Sequence, residues 1–350
     1  MSEFRWNPTL GEWLVTSSHR QDRTFLPPAD FCPLCPTKPG GFPTEIPAPT
    51  YDIVTFQNRF PAFQTPPPVP AVEGTDLYPV RPAIGAAEVV CYTPEHHGTL
   101  ADQPLQRIHN LVRVWRHRYE DLGGRPEVDY VFIFENKGTV IGVTLEHPHG
   151  QIYAYPFIPT IPARELANGA DHLRRTGRCL YCDIVAAELA DGRRVIAQSP
   201  AFVAAVPFYA RWPYEVHIWC RQHRGSLSEF TPREDRELAA MIRLVARSYD
   251  RLPGFEPPFP YMMALHQRPT DGGAHEAAHF HVEFYPPYRR PGRLKYLATA
   301  ETGGGNFLND TLPEEKAAEL RAAVAALHDA LPEEKAAEPR QAVAALEETP

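Results

Sequence analysis

The chain has 350 residues, enough for one large domain or two ordinary ones with proper cores. Its formal net charge of −8 and pI near 6.0 exclude a broad basic face that neutralises nucleic-acid phosphates, but leave room for a local basic pocket around a small phosphorylated ligand. No apolar run approaches the roughly 20 residues of a membrane span, and the opening MSEFRWNPTLGEW lacks the basic and apolar segments of a secretory leader. A soluble, cytoplasmic protein is expected, with neither membrane nor nucleic acid among its partners.

In chain order, the first feature is Cys32-Pro-Leu-Cys35. Proline-rich stretches follow, FPTEIPAPT and FQTPPPVP; proline fixes φ and removes a donor, so these read as extended surface connections. EVVCYTPEHHG is strand-like and carries His96 and His97. From about Asp102 to Leu122 the apolar residues Leu105, Ile108, Leu111, Val112, Trp115 and Tyr119 recur at helical spacing, with Asp102 as N-cap. The apolar YVFIFEN then predicts a strand in a sheet centre, followed by EHPHGQIYAYP. On a strand, alternate residues share a face, so His147, His149 and Gln151 project together while Ile152 and Ala154 pack behind.

The second half repeats this order. Cys179-Leu-Tyr-Cys182 precedes the strand-like YEVHIWCRQHRG with His223. A helix from about Thr231 to Leu252 carries Leu238, Met241, Ile242, Val245 and Tyr249; the strand YMMALHQ comes next, then His279-Phe-His281. The order predicts an α+β unit used twice, each a largely antiparallel sheet with a packed helix. A cruder repeat closes the chain: LPEEKAAELRAAVAAL from Leu312 and LPEEKAAEPRQAVAAL from Leu331. The first copy suits a helix opened by Pro313, whereas Pro339 breaks the second. The expected divisions are residues 1–165, carrying the nucleophile; 166–310; and 311–350, a helical repeat with a disordered tail.

A C-x-x-C pair with two distant histidines fits tetrahedral zinc. The first set is Cys32, Cys35, one of His96 and His97, and His147; the second, in the same order, is Cys179, Cys182, His223 and His279. A redox role for CPLC would need the motif to open a helix, which PTKPGGFP does not do, and packed thiols are the plainer alternative. With His147 tied to zinc, His149 remains as an imidazole suited to attack phosphorus near neutral pH. Gly150 would admit a phosphate close to the backbone. Gln151 can hydrogen-bond a phosphoryl oxygen without supplying a proton, which favours transfer over hydrolysis.

H-P-H-G-Q resembles the active-site motif of the galactose-1-phosphate uridylyltransferase family, a branch of the histidine-triad superfamily in which glutamine replaces the last histidine. CPLC, CYTPEH, FENKGTVIGVTLEHPHGQ, LVTSSHRQDR, FQNR and FYPPYRRPGRLKYLATAE share the resemblance, which covers about residues 5 to 310. It implies tandem histidine-triad-like units, UDP-glucose and galactose 1-phosphate as substrates, a uridylyl-histidine on His149, and a homodimer. It implies that Gln151 holds the uridylyl phosphate, that Arg20 and Arg23 contact phosphate, that Asn58 lies on the uridine side and Asn136 on the phosphate side, and that Lys295 and Glu301 grip the hexose phosphate. It favours His96 over His97 as zinc ligand. For a second metal it leaves two sets, Cys179/Cys182/His223/His279 for zinc, which is preferred, or Glu165/His266/His279/His281, where iron is an option. The alternative function is a related nucleotidyltransferase or phosphorylase using an ADP- or GDP-sugar.

Overall fold

The computed structural model describes residues 2–22, 27 and 31–330. Arg23 and the second copy of the C-terminal repeat lie outside the described residues. A hairpin opens the chain: β1 (Ser2–Asn7) and β2 (Glu12–Ser17) turn through Gly11, whose φ of +67° suits glycine. The strands β3 (Val54–Gln57), β4 (Val80–Pro82) and β5 (Ala86–Cys91) follow between long connections, then α1 (Leu105–Gly123), β6 (Tyr130–Lys137) and β7 (His149–Tyr155). The second half runs α2 (Thr160–Thr176), α3 (Leu180–Asp191), β8 (Val195–Gln198), β9 (Phe202–Ala205), β10 (Val216–Cys220), α4 (Pro232–Tyr249), β11 (Tyr261–His266) and β12 (His281–Tyr285). It closes with β13 (Tyr288–Arg290), β14 (Arg293–Leu294), α5 (Thr299–Thr302) and α6 (Pro313–Ala330). No helix among the described residues is long and apolar enough to cross a membrane.

The protein is α+β. Nine strands form one sheet in the order β3-β5-β7-β6-β11-β12-β10-β9-β8, every neighbour antiparallel. The two apolar strands expected at sheet centres, β6 and β11, lie side by side, with Tyr261 opposite Lys137 and Leu265 opposite Ile133. Reading outward from this seam, β6, β7 and β5 match β11, β12 and β10, so the repeated order of the sequence becomes a repeated order in space.

Strand alternation divides the sheet's two faces. Val90, Val131, Ile133, Ile152, Ala154, Val216, Ile218, Met263, Leu265, Val282 and Phe284 face α1, α4 and α6 in one large core. His149, Gln151, His266, His281 and Glu283 project from the opposite face. There Phe4 and Phe63, beside the small β2-β1-β4 sheet, pack with Tyr153 and Tyr155 at one end.

The helices start where capping chemistry allows. Thr231 and Glu234 form a capping box on α4, with Glu234 N–H on Thr231 Oγ1 at 3.2 Å and Thr231 N–H on Glu234 Oε2 at 2.7 Å. Asp102, in contrast, does not cap α1. Its carboxylate takes the N–H and hydroxyl of Thr99 at 2.8 and 2.9 Å within a short 3₁₀ turn, and Pro104, with φ fixed at −56°, then sets the start of the α-helix. The first copy of the terminal repeat is α6, whose Ala317, Leu320, Ala323, Val324 and Leu327 are buried, Leu320 in the core shared with α4.

Leu320→Ala leaves a cavity in that core and is expected to cost about 2–5 kcal/mol. Thr231→Ala, which removes one cap acceptor, should cost about 1 kcal/mol. Urea denaturation followed by circular dichroism orders the two; an equal or reversed order contradicts the packing described for α6.

Candidate active site and metal centres

β7 begins at His149, opposite Cys91 on β5. His149 Nδ1 donates to the carbonyl of His147 at 2.7 Å, which fixes the ring and puts the lone pair on Nε2. Two cavities meet here, sharing Asn136, Val143, Leu145 and His149. The smaller, about 320 Å³, is lined also by Phe56, Asn58, Phe60 and Gln151. The larger, about 970 Å³, is open and carries Lys137, Arg243, Arg247 and Arg251 on its walls. A largely apolar, aromatic slot with a few amides on one side of a histidine, and an open polar cleft with both basic and acidic side chains on the other, suits a base and ribose facing a polar second substrate.

The other expected contact residues divide. Asn58 and Asn136 line the smaller cavity, and Arg20 donates from Nη1 to the carbonyl of Phe60 on its wall at 3.0 Å. Lys295 and Glu301 line neither cavity. Both are buried and lie 3.4 Å apart, and the Lys295 ammonium also reaches the carbonyl of Leu308. Within one chain they are not brought to His149. Between them Tyr296 and Leu297 are exposed, at 78% and 46%.

Gly150 has a different reason from the phosphate approach expected of it. It is buried and faces the helix side of the sheet, where a Cβ would stand 2.1 Å from Tyr92 Oη.

Among the described residues, three groups of ligand-type side chains assemble on the face that carries His149. In the first, Cys35 Sγ lies 3.5 Å from His96 Nδ1 and 3.6 Å from His147 Nδ1, with Cys32 alongside. A tetrahedron with S and N bonds of about 2.3 and 2.0 Å has S···N edges of roughly 3.6 Å. His147 Nε2 donates to the Thr93 carbonyl at 2.8 Å, leaving Nδ1 as the ligand nitrogen. Burial holds the His147 ring down to about 4, so it is neutral as a ligand must be. His97 packs edge-on against His96 and belongs to no group.

The second group is Cys179, Cys182, His223 and His279, with Sγ to Nδ1 distances of 3.6, 3.7 and 3.9 Å. Cys179 caps α3, and Cys182 lies in its first turn. His279 Nε2 donates to the Cys220 carbonyl at 2.9 Å, the same arrangement as His147 on Thr93. Burial and the facing thiol push both Cys35 and Cys182 up, so each pair calls for a cation before it ionises.

The third group is Glu165, His266, His281 and Glu283. The two second-site sets were expected as alternatives sharing His279; the structure separates them. His279 and His281 point to the same face about 7 Å apart along an extended chain, and the Tyr181 ring stacks against both, with centroids at 5.6 and 4.6 Å. His279 therefore joins the cysteines, and Glu283 takes its place in the other set. His266 Nδ1 lies 2.8 Å from Glu165, and its Nε2 lies 3.5 Å from Glu283. Burial alone would lower His266, but the two carboxylates push it up to about 9. Burial opposes ionisation of Glu283, yet His217, His266 and His281 hold it well below the usual carboxylate range. His281 Nε2, fully buried, makes no hydrogen bond among the described residues. That nitrogen lies 3.4 Å from Glu283 and 4.0 Å from Glu165, and a buried imidazole so placed among two carboxylates and a second imidazole fits a divalent cation.

The halves can be compared atom by atom. His281 Nδ1 donates to the His279 carbonyl at 2.8 Å, the counterpart of His149 on His147. Beside His281, however, Tyr181 leaves a space of only about 20 Å³, too small for a nucleotide. Glu283 is the member of the third group that the sequence pattern did not single out; its signal is its position two residues after His281, the spacing that places it on the same strand face.

The comparisons with known proteins agree with this geometry. Residues 1–159 match the family described as galactose-1-phosphate uridyl transferase, N-terminal domain, and residues 165–333 match its C-terminal domain. A galactose-1-phosphate uridylyltransferase of Thermotoga maritima is 39% identical, covering 92% of this chain and 98% of that protein. One from Streptomyces lividans is 35% identical, covering 93% and 88%. A solved uridylyltransferase superposes with a TM-score of 0.82 at 36% identity, over 93% of this chain and 99% of that one. An ADP-glucose phosphorylase of Arabidopsis thaliana, 22% identical with a TM-score of 0.67 over 92% and 98%, shares the fold. Similarity that runs the length of both halves, and includes the strand on which two cavities meet, establishes that the chain belongs to the galactose-1-phosphate uridylyltransferase family.

Proposed function

We propose that the chain moves UMP from UDP-glucose to galactose 1-phosphate through a covalent intermediate on His149. The observation that carries this reading is the Nδ1 hydrogen bond of His149 to the His147 carbonyl at 2.7 Å, which presents the Nε2 lone pair where the two cavities meet. Nε2 attacks the α-phosphorus of UDP-glucose; the bond to the bridging oxygen breaks, and glucose 1-phosphate leaves with that electron pair. A phosphate oxygen of galactose 1-phosphate then attacks the same phosphorus, the P–N bond breaks, and UDP-galactose departs, restoring the imidazole. As charge shifts to the His149 ring, the His147 carbonyl stabilises it. Gln151, two residues on and on the same face, donates amide N–H to a non-bridging oxygen. Asn58 and Asn136 line the nucleotide side, and Arg20 and Arg23 are assigned to phosphate.

Cys32, Cys35, His96 and His147 would hold Zn²⁺, Cys179, Cys182, His223 and His279 a second Zn²⁺, and Glu165, His266, His281 and Glu283 a third divalent cation, iron or zinc. Such ions supply structural cross-links here, the first of them clamping the residue whose carbonyl orients His149. The working divisions are 1–165 with the nucleophile, 166–310 with the second metal set and all of the third but Glu165, and 311–350. A cytoplasmic homodimer completes the site: Lys295 and Glu301, distant from their own His149 cavities, would serve the partner's, presented by a segment with exposed Tyr296 and Leu297.

His149→Ala is expected to lower glucose 1-phosphate release by on the order of 10³-fold or more and to abolish acid-labile, base-stable label from UDP-glucose carrying ³²P at the α position; release at the wild-type rate refutes the nucleophile. Elemental analysis of the purified protein should give three metal ions per chain, with Cys182→Ser losing one zinc and Glu283→Ala a different ion. Metal content unchanged in both variants removes the second and third sites. Co-expressing His149→Ala with Lys295→Ala should restore turnover absent from either alone, since one site of each mixed dimer is intact; no restoration argues against a shared site.

A further inference from the structure

We infer that Tyr92 is a positioning residue for the nucleophile, its hydroxyl wedged beneath Gly150 and tethered by Glu135. The inference rests on the reading of His149 as nucleophile. β7 lies between β5 and β6, with Gly150 opposite Val90 and Gln151 opposite both Val89 and Phe134. His149 and Gln151 point into the cavities, so the residue between them must face the helices. What it meets there is one oxygen: a Cβ built on Gly150 would lie 2.1 Å from Tyr92 Oη, against 3.1 Å from Tyr92 Cζ and 3.0 Å from the Phe134 carbonyl.

That oxygen is held at both ends of its residue. The Tyr92 N–H donates to the Pro148 carbonyl at 3.1 Å, one residue before His149, and its hydroxyl donates to Glu135 Oε2 at 3.1 Å. The other Glu135 oxygen accepts from the Tyr261 hydroxyl at 3.3 Å, so the tether crosses the β6–β11 seam into the second half. Lys137 closes the arrangement, stacking 5.1 Å over the Tyr261 ring and pairing with Asp250 at 3.1 Å.

A carboxyl group this deep among aromatic rings costs free energy, and phenylalanine at positions 92 and 261 with an apolar residue at 135 would fill the same volume without it. What the polar version adds is a fixed depth for one atom under the strand. The strand position in turn sets where His149 Nε2 meets the α-phosphorus, and a displacement of about 1 Å there costs on the order of 100-fold in rate. Tyr92 lines neither cavity at His149; it acts through Gly150 and Pro148.

The test is a volume swap. Gly150→Ala forces the strand away from the hydroxyl and should lower kcat by on the order of 100-fold with KM for UDP-glucose nearly unchanged. Tyr92→Phe, which adds nothing to the strand, should lower kcat about tenfold at similar KM. In the double variant the 2.1 Å contact is gone and the methyl meets only Cζ at 3.1 Å and the Phe134 carbonyl at 3.0 Å, so kcat should exceed that of Gly150→Ala, a compensation that general destabilisation does not produce. Wild-type kcat in Tyr92→Phe overturns the proposal whatever Gly150→Ala does, and so does a double variant no faster than the slower single one. If His149→Ala proves active, the nucleophile reading falls; if His149→Ala is dead and the swap fails, only the role of Tyr92 falls.

Discussion

A single short-range hydrogen bond at the start of β7, from His149 Nδ1 to the carbonyl two residues earlier, is the contact on which the arrangement of the site depends. It selects the tautomer, fixes the ring plane and directs the remaining lone pair to the junction of the cavities. The bond is only as rigid as His147, and His147 is anchored twice over: its Nε2 by the Thr93 carbonyl, its Nδ1 within the set of Cys32, Cys35 and His96. Much of the first half, including the loop that carries CPLC and the segment that carries His96, serves to fix a carbonyl oxygen.

The second half shows the same bond put to another use. His281 on His279 repeats the geometry of His149 on His147 to within 0.1 Å (2.8 against 2.7 Å). There the second imidazole lies under Tyr181 and between carboxylates, with no room for a substrate beside it. One backbone arrangement thus sets an imidazole beside open cavities in one half, and among carboxylates and a tyrosine ring in the other. Gln151 and Glu283, equivalent along their strands, mark the difference: a neutral amide on a cavity wall, an acid among imidazoles.

Much of this was legible in the residues because it rests on short-range rules. Strand alternation put His149 and Gln151 on one face, and C-x-x-C with paired histidines named ligand sets that the fold brings together. Apolar spacing located α1 and α4 to within a few residues. What the residues withheld was spatial. Nothing in HFHVEF says that Tyr181 will stand between His279 and His281, so two complete sets looked like competitors for one histidine. Gly150 looked like room for a phosphate because its strand neighbours face the cavity; the atom it accommodates belongs to a tyrosine on the other side of the sheet. Asp102 has the chemistry of an N-cap, but Pro104 two residues later moves the helix start. Lys295 and Glu301 carry the family motif, yet one chain holds them paired with each other.

The seam between β6 and β11 has a consequence for how the chain is made. Each of these apolar strands is the other's neighbour, so until β11 emerges from the ribosome, β6 is an open sheet edge. An exposed edge whose run from Tyr130 to Phe134 is wholly apolar invites pairing with other chains. Well over a hundred residues separate the two strands in the sequence, so the nascent first half must wait through the synthesis of three helices and three strands with its most adhesive border uncovered. During that interval the half-sheet is a substrate for chaperones or for aggregation, and the completed nine-stranded sheet is what ends the exposure.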